Sequence, residues 1–311
     1  MKRGMGWRMP RKVHVVTTCF NAQRMGVGAV EKNFDKAQEL LSMVEGLQPD
    51  IVCLPEVFLE TNLPKRPATF DMAERVIEFL SRNAKKLGSY IVASGYEVIE
   101  SEVYNVAWLI DRNGDVLGRY AKHHLTMGEI EGWGLKPGPD IPVFDTDFGR
   151  IGLSICYDIG WPGLWDELGK GGAELVIWPS AYDGGFPLQA YAWLNSYYVV
   201  SSVRTDHSKV IDKTGKILAS TSRWTGWVSH VVDLEKEIFE IDSQHQKLIE
   251  IQHRLGKGVT IQAFTEEDMF TLESHDPDWP VGRIKREFGL VSLQEYLKEA
   301  EMVQDRARRK R

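Results

Sequence analysis

Cysteine is scarce in this 311-residue chain: Cys19, Cys53 and Cys156 are all it has. An odd count that low excludes a disulfide framework and fits a reducing compartment in which each thiol needs its own explanation. Long apolar runs are also missing. Segments such as ELVIW and YYVVSSV fall far short of the roughly 20 residues a membrane span needs. The opening, MKRGMGWRMPRKVHVVTTCF, interrupts its basic start with Gly, Trp, Arg and Pro and leaves no apolar stretch of the kind found in a secretory leader. The expectation is a soluble cytoplasmic protein with no membrane partner. Positive charge is not in excess either: the formal net charge is -6, which gives no electrostatic reason to bind nucleic acid. The basic tail DRARRKR reads as a solvated chain end.

Several chemistry motifs are absent as well. There is no GxxxxGK[ST] phosphate loop, no GxGxxG after a strand, no HExxH, no CxxC pair and no GxSxG elbow. GLSIC, Gly152 to Cys156, has the outline of that elbow but ends in cysteine. His123 and His124, adjacent on an expected strand, would point to opposite faces and could not easily share a metal. No metal and no cofactor are expected.

What is present is an ordinary globular composition, 43% hydrophobic and 26% charged, ample for a core. The first two-thirds alternates short β-type runs with amphipathic stretches. HVVTTCF is followed by a stretch in which Phe34, Ala37, Leu40, Leu41 and Val44 recur at helical spacing up to Gly46. DIVCLPE precedes a second helix between Phe70 and Leu87. YIVASGYEV, VYNVAWLID and DVLGRYAK read as three strands, with Asn113-Gly114 turning the last hairpin. RIGLSIC, ELVIWPS and YYVVSSV are further strands, with helices beginning near Pro162 and Leu188. KVIDKTGKILAST turns at Thr214-Gly215, and WVSHVVDL closes the pattern. This predicts layered α/β with helices packed outside sheets. After Leu234 the pattern changes: EIFEIDSQHQKLIEIQHRLG reads as a helix, Thr260 to Arg286 lacks a clear period, and VSLQEYLKEAEMVQDRARRK reads as a terminal helix. The expected division is a domain over 12–234 and a C-terminal arm over 235–311, with little core of its own, packing on the domain or across subunits.

Three polar residues end apolar strands: Glu56 after IVCLP, Lys122 after VLGRYA, and Cys156 after RIGLSI. Strand ends in open α/β sheets are where crevices form. Singly, each has an ordinary reading as a turn group, a solvated lysine and a small core residue. Together, a carboxylate, an ammonium and a thiol are the ingredients of thiol-based acyl transfer, in which the carboxylate takes the thiol proton and the ammonium favours thiolate and oxyanion. Cys19 and Cys53 read as core residues.

The blocks IVCLPEVF, GRYAKHHL and IGLSICYD resemble, in order and separation, the three catalytic blocks of the nitrilase (carbon-nitrogen hydrolase) superfamily, and the resemblance runs from about Lys12 to Leu234. It implies an α/β fold of four layers, an α-β-β-α sandwich with a C-terminal extension, and catalytic Glu56, Lys122 and Cys156. It also implies a further glutamate before the PG turn. Glu131, in IEGWGLKPG, matches the spacing, with Glu129 as competitor. The implied reaction forms a thioester on Cys156, with the Tyr157 backbone N–H and Lys122 at the oxyanion. Trp133, Trp161, Ser180 and Tyr182 are candidate substrate-binding residues; Trp178 reads equally as pocket or core. Cys156-Tyr157-Asp158 resembles the amidase and carbamoylase branches, whereas true nitrilases carry Cys-Trp-Glu. Ile159-Gly160 stands where many carbamoylase relatives have a carboxylate-binding arginine, although Arg204 or Arg223 could substitute. IEGW resembles the aliphatic amidase loop. The expected substrate is therefore a small neutral amide, with N-carbamoyl amine or amino acid hydrolysis as the alternative, and a nitrilase or a non-catalytic partner-binding protein behind it. Relatives in the family imply a homodimer or higher homo-oligomer.

Overall fold

The computed structural model describes residues 11–20, 28–59, 70–241 and 243–309. The first ten residues of the opening segment read above for a leader, and the last two residues of the basic tail, lie outside the described residues. The chain divides into two compact units, one of Val13–Val232 and one of Asp233–Arg311 with the residues up to Lys12.

The first unit holds two six-stranded sheets of matching design. In the first, β1 (Lys12–Thr18), α1 (Ala29–Val44), β2 (Ile51–Cys53), α2 (Ala73–Leu87) and β3 (Tyr90–Ile99) form parallel strand-helix-strand units, and β4 (Glu102–Ile110) and β5 (Val116–Ala121) follow antiparallel. The second starts with an edge strand β6 (Val143–Asp145). It continues through β7 (Arg150–Leu153), α3 (Pro162–Lys170), β8 (Leu175–Ser180), α4 (Phe186–Asn195) and β9 (Tyr198–Val203), again parallel, then antiparallel β10 (Lys209–Ile211) and β11 (Ile217–Ser220). β12 (Trp227–Asp233) returns to the first sheet beside β1, giving the orders β12-β1-β2-β3-β4-β5 and β11-β10-β9-β8-β7-β6. Glycines stand in the left-handed region at both sequence-marked hairpins, Gly114 at φ 80 and Gly215 at φ 76, where a β-carbon would be strained.

The period-2 alternation of side chains explains the layers. On one face of the first sheet Val16, Val52, Leu54, Ile91 and Trp108 pack against Phe34, Leu41, Phe79 and Leu80 of α1 and α2. On the corresponding face of the second, Val176, Trp178, Val199 and Ile211 pack against Leu164, Trp165, Leu188 and Tyr191 of α3 and α4. Neighbouring residues point the other way and join the sheets: the Thr17 hydroxyl donates to the Ser201 carbonyl at 2.6 Å, and the Ser202 hydroxyl to the Thr18 carbonyl at 2.7 Å. The result is the four-layer α-β-β-α sandwich. Cys53 is fully buried as expected, whereas Cys19 is half-buried, because β1 ends before it and only an isolated bridge to Val203 continues the strand. Trp178 is a core residue.

The second unit departs from its sequence reading. Glu237–Glu240 is a strand, β13, and not the start of a helix; α5 (His245–Leu255) begins only after it. The aperiodic stretch holds β14 (Val259–Phe264), β15 (Met269–Ser274) and α6 (Val281–Glu287). The three strands form a sheet in the order β13-β15-β14. Phe239, Phe270, Leu272, Ile251, Val281, Ile284 and Phe288 close a core of their own, with Phe239 and Phe270 stacked at 5.0 Å. Core-forming content is thus higher than the sequence reading allowed: two short strands alternate too briefly to stand out from loop. The terminal helix α7 (Leu293–Arg309) is as expected. Its start is a capping box, with the Ser292 N–H and hydroxyl both donating to Glu295 at 3.0 and 2.9 Å.

Candidate active site

Five strand ends of the sandwich converge. The turn after β2 carries Glu56, Lys122 immediately follows β5, Cys156 lies just beyond β7, Ser180 ends β8, and Arg204 follows β9. Two of these positions have unusual backbone. Cys156 has φ 44 and Val57, next to Glu56, has φ 43. Positive φ is costly for a side-chain-bearing residue, and most so for a β-branched one, so both turns must be held from outside. At Val57 the N–H donates to the Ser94 hydroxyl at 3.0 Å. Phe58 next in the chain sits edge-on to Phe20 and Phe34 at 6.0 and 6.4 Å, each such contact worth about 0.5–1.5 kcal/mol beyond burial.

Lys122 is 1% exposed. Its ammonium donates to Glu56 Oε1 at 3.0 Å and to both oxygens of Glu129 at 2.9 and 3.0 Å. Two carboxylates and one ammonium leave a buried site with excess negative charge, which demands further donors. The Asn105 amide supplies one to each carboxylate, at 2.9 Å to Glu56 and 3.3 Å to Glu129. The Ser94 hydroxyl meets the Asn105 carbonyl oxygen at 3.5 Å, which turns the amide nitrogen toward the carboxylates. Glu129 also accepts from the Thr126 N–H and hydroxyl, at 2.8 and 2.9 Å.

The glutamate that meets Lys122 is therefore Glu129, and the expectation of Glu131 is corrected: Glu131 is exposed. Both residues sit on a single π-type turn, Gly128–Gly132, and residues two apart on a helical turn face away from one another. Spacing to the PG turn could not separate them, but Thr126-x-x-Glu129 is a capping-box signature, and the Glu129 N–H returns a bond to the Thr126 hydroxyl at 3.2 Å. Asn105, Ser94 and Arg204's contact with the turn were not picked out either; a lone Asn inside the strand VYNVAWL was the visible signal.

The thiol of Cys156 is close enough to the Glu56 carboxylate, to Lys122 and to the Ser180 hydroxyl for each to act on its titration. Burial pushes the thiol up to about 12, reinforced by the Glu56 charge and only partly offset by Lys122. Burial works on Glu56 in the same upward direction, but the cations of Lys122 and Arg204, the nearby Cys156 thiol and the Lys122 hydrogen bond outweigh it and hold the carboxyl below its ordinary range. Burial alone would lower Lys122, yet Glu56, Cys156 and Glu129 keep its pKa above that of an ordinary lysine. The resting site is thus neutral thiol, ionised carboxylate and ammonium. Arg204 holds the Glu56 turn directly, its Nε donating to the Glu56 carbonyl at 2.7 Å.

The other predicted residues divide by exposure. Ser180 is fully buried and its hydroxyl accepts from the Tyr182 N–H at 3.1 Å. Tyr157, Trp161, Tyr182 and Trp133 are each about two-fifths exposed; Tyr157, next to Cys156 in the chain, meets Trp161 edge-on at 5.1 Å. Burial raises the Tyr182 phenol to about 12, with the charges of Cys156 and Glu56 adding to the effect, so Tyr182 belongs to the same neighbourhood. Trp133 meets Tyr96 edge-on at 6.4 Å. Trp178 donates to the Cys156 carbonyl at 3.1 Å and so supports the Cys156 turn from the core. His123 and His124 lie in a bend past β5, not on a strand, with rings edge-to-face at 4.7 Å. Among the described residues no cluster of three metal-ligating side chains occurs, and no helix is long and apolar enough to cross a membrane.

Comparisons with known proteins show what the chain resembles. The chain is 28% identical over 239 residues, 63% of its own length and 82% of the relative's, to the deaminated glutathione amidase of Dictyostelium discoideum. Among solved structures it is similar to the NitFhit protein of C. elegans, at 26% identity and a TM-score of 0.64 over 83% of this chain and 70% of that one. An amidase from Nesterenkonia sp. shares the fold at 19% identity and a TM-score of 0.65, over 81% and 98% of the two chains. The family model described as carbon-nitrogen hydrolase matches residues 20–237. The chain belongs to the carbon-nitrogen hydrolase family and is an enzyme acting on a small-molecule substrate.

Proposed function

We propose that this enzyme is an amidase that hydrolyses a small neutral amide to a carboxylic acid and ammonia through a thioester on Cys156. The observation that carries the reading is the Cys156 thiol set against a Glu56 carboxylate closely enough to shift its titration, the same carboxylate being bonded by Lys122. Glu56 is the general base. It takes the thiol proton as sulfur attacks the amide carbon, since a thiol raised to about 12 ionises only with a partner poised to accept. Lys122 and the Tyr157 backbone N–H stabilise the tetrahedral oxyanion. Glu56 returns the proton to the departing nitrogen, the thioester remains, and water activated by Glu56 hydrolyses it. Glu129, saturated by Lys122, Thr126 and Asn105, fixes the ammonium without exchanging protons. Trp133, Trp161, Tyr182 and Ser180 surround the acyl group. No metal or cofactor takes part.

The aromatic surroundings and the Ile159-Gly160 pair favour a neutral acyl group. A second reading, an amide or N-carbamoyl compound bearing a carboxylate, draws on Arg204, whose charge acts on Glu56, and on the amidase names of the relatives. A panel of aliphatic amides, carboxylate-bearing amides including deaminated glutathione, N-carbamoyl amines and nitriles separates these, with ammonia and CO2 both measured. Ammonia from neutral amides without CO2 is expected. Turnover of the carboxylate-bearing members alone transfers the assignment to the second reading, and acid from nitriles alone overturns both.

The same reading takes residues 12–234 as the hydrolase domain, places the enzyme in the cytoplasm, where a free nucleophilic thiol survives, and assigns 235–311 to assembly of a homodimer or larger oligomer. Removing 235–311 is expected to lower the oligomer mass in light scattering; an unchanged mass refutes the assembly role.

A further inference from the structure

Asp158, two residues past the nucleophile, is a fully buried carboxylate with no part in the proton transfers above. Its Oδ2 accepts from the Tyr120 hydroxyl at 2.7 Å and from the Ile155 N–H at 2.9 Å. Its Oδ1 accepts from the His124 N–H at 2.7 Å and from the His124 ring Nδ1 at 3.1 Å. A carboxylate offers only acceptors, so Nδ1 must carry a proton. The placement of these donors is informative. Ile155 directly precedes Cys156, the residue at φ 44. Tyr120 and His124 flank Lys122 at two residues on either side. One side chain therefore ties the segment bearing the thiol, in the second sheet, to the segment bearing the ammonium, in the first. Burial and the Asp158 charge keep the Tyr120 phenol protonated far above its ordinary range, so it stays a donor. The Tyr120 hydroxyl also accepts from the His123 N–H at 3.1 Å, and the His124 ring lies flat on Trp161 at 4.0 Å and 8°, which carries the tie out to the substrate-facing aromatics.

We infer that Asp158 is a positioning residue: its bonds to Ile155, Tyr120 and His124 set the distance between the Cys156 thiol and the Glu56–Lys122 pair. The inference rests on Cys156 being the nucleophile. Sheet packing alone leaves that distance to side-chain contacts, whereas a buried carboxylate with every lone pair used fixes both turns at once. Asn at 158 cannot replace it, because an amide turns an N–H group toward one of the donors.

The test uses the full chain, with iodoacetamide as probe and the most active amide of the panel as substrate. For Asp158→Asn a kcat lowered about 100-fold with KM within about threefold is expected, the scale on which small misplacements of reacting groups act, together with slower carbamidomethylation of Cys156. Tyr120→Phe removes one donor and keeps the ring, so it preserves the core and decides the matter if Asp158→Asn does not fold. A loss of about tenfold in both readouts is expected, on the scale of one hydrogen bond to a charged group. The double variant is expected to fall no further than Asp158→Asn alone, because both act on one tie. Wild-type kcat and labelling in either folded variant overturns the inference, as does a double variant whose loss is the product of the single losses. If iodoacetamide does not prefer Cys156 in the unmodified enzyme, the nucleophile assignment fails; if it does and the variants label as fast, only the role of Asp158 fails.

Discussion

The two sheets of the sandwich share a design and differ in what they carry. Each runs three parallel strands through two helices and then turns antiparallel. Yet the first sheet presents the charges, Glu56, Lys122 and Glu129, knitted by Asn105, while the second presents the thiol. The charged group is self-sufficient: its members satisfy one another in the absence of substrate. The thiol is the reverse, a neutral group raised by burial that, on the proposed mechanism, becomes reactive only through what the opposite sheet holds against it. On the proposed mechanism most of the preorganised charge resides in the first sheet and bond-making in the second, with Arg204 of the second sheet bracing the Glu56 turn.

Substitutions should expose that asymmetry. Cys156→Ala removes only the bond-maker: turnover should drop about 10⁴-fold or more while the melting temperature scarcely moves, a pairing checked by kinetics and calorimetry on one sample. Lys122→Met acts on the preorganised side and should lose both activity and about 3–5 kcal/mol of stability, because two buried carboxylates lose their common cation; denaturant titration measures this. Between these lies the choice of glutamate. Glu129→Gln should lower kcat about 100-fold through a displaced ammonium, whereas exposed Glu131→Gln should stay within about twofold of the parent. Equal losses in both would break the assignment made from the π-turn.

The smallest effect is one of pH. The Glu56 carboxyl lies below its ordinary value, so the base stays ionised as pH falls through about 4.3, where a free Glu is half protonated. The stability it contributes is present above that pH and is lost only as pH falls through its lower folded value. The acid limb of kcat/KM should accordingly lie below the ordinary glutamate range, and Arg204→Met, which removes a cation, should move it upward. A limb that stays in place would separate Arg204 from the electrostatics of the base. The thiol has the opposite sign: raised to about 12 when folded, it adds stability below about pH 8.5, the free-thiol value, which is lost as pH rises toward 12.

Much of the layered architecture could be read from periodicity, because β2, β3, β8 and β9 are nearly unbroken apolar runs and α1 keeps one face over four turns. Glu56, Lys122 and Cys156 were legible because each closes such a run. The second glutamate was not, since the choice between Glu129 and Glu131 depends on which side of a single turn faces inward, and spacing along the chain does not carry that direction. Asn105 and Asp158 were missed for a related reason. Each acts by bridging segments remote in sequence, Asp158 reaching 38 residues back to Tyr120 and Asn105 49 residues back to Glu56. In the second unit β13 reads as helix from sequence, because four residues, EIFE, carry too little alternation to be told from the helix that follows.

The most direct test of the central claim is intact-protein mass spectrometry of the enzyme quenched during turnover of its best amide. A mass increase equal to the acyl group, mapped to Cys156, dependent on substrate and absent in Cys156→Ala, is the predicted result. Turnover with an adduct on Cys19 or Cys53 instead, or undiminished turnover in Cys156→Ala, would contradict it.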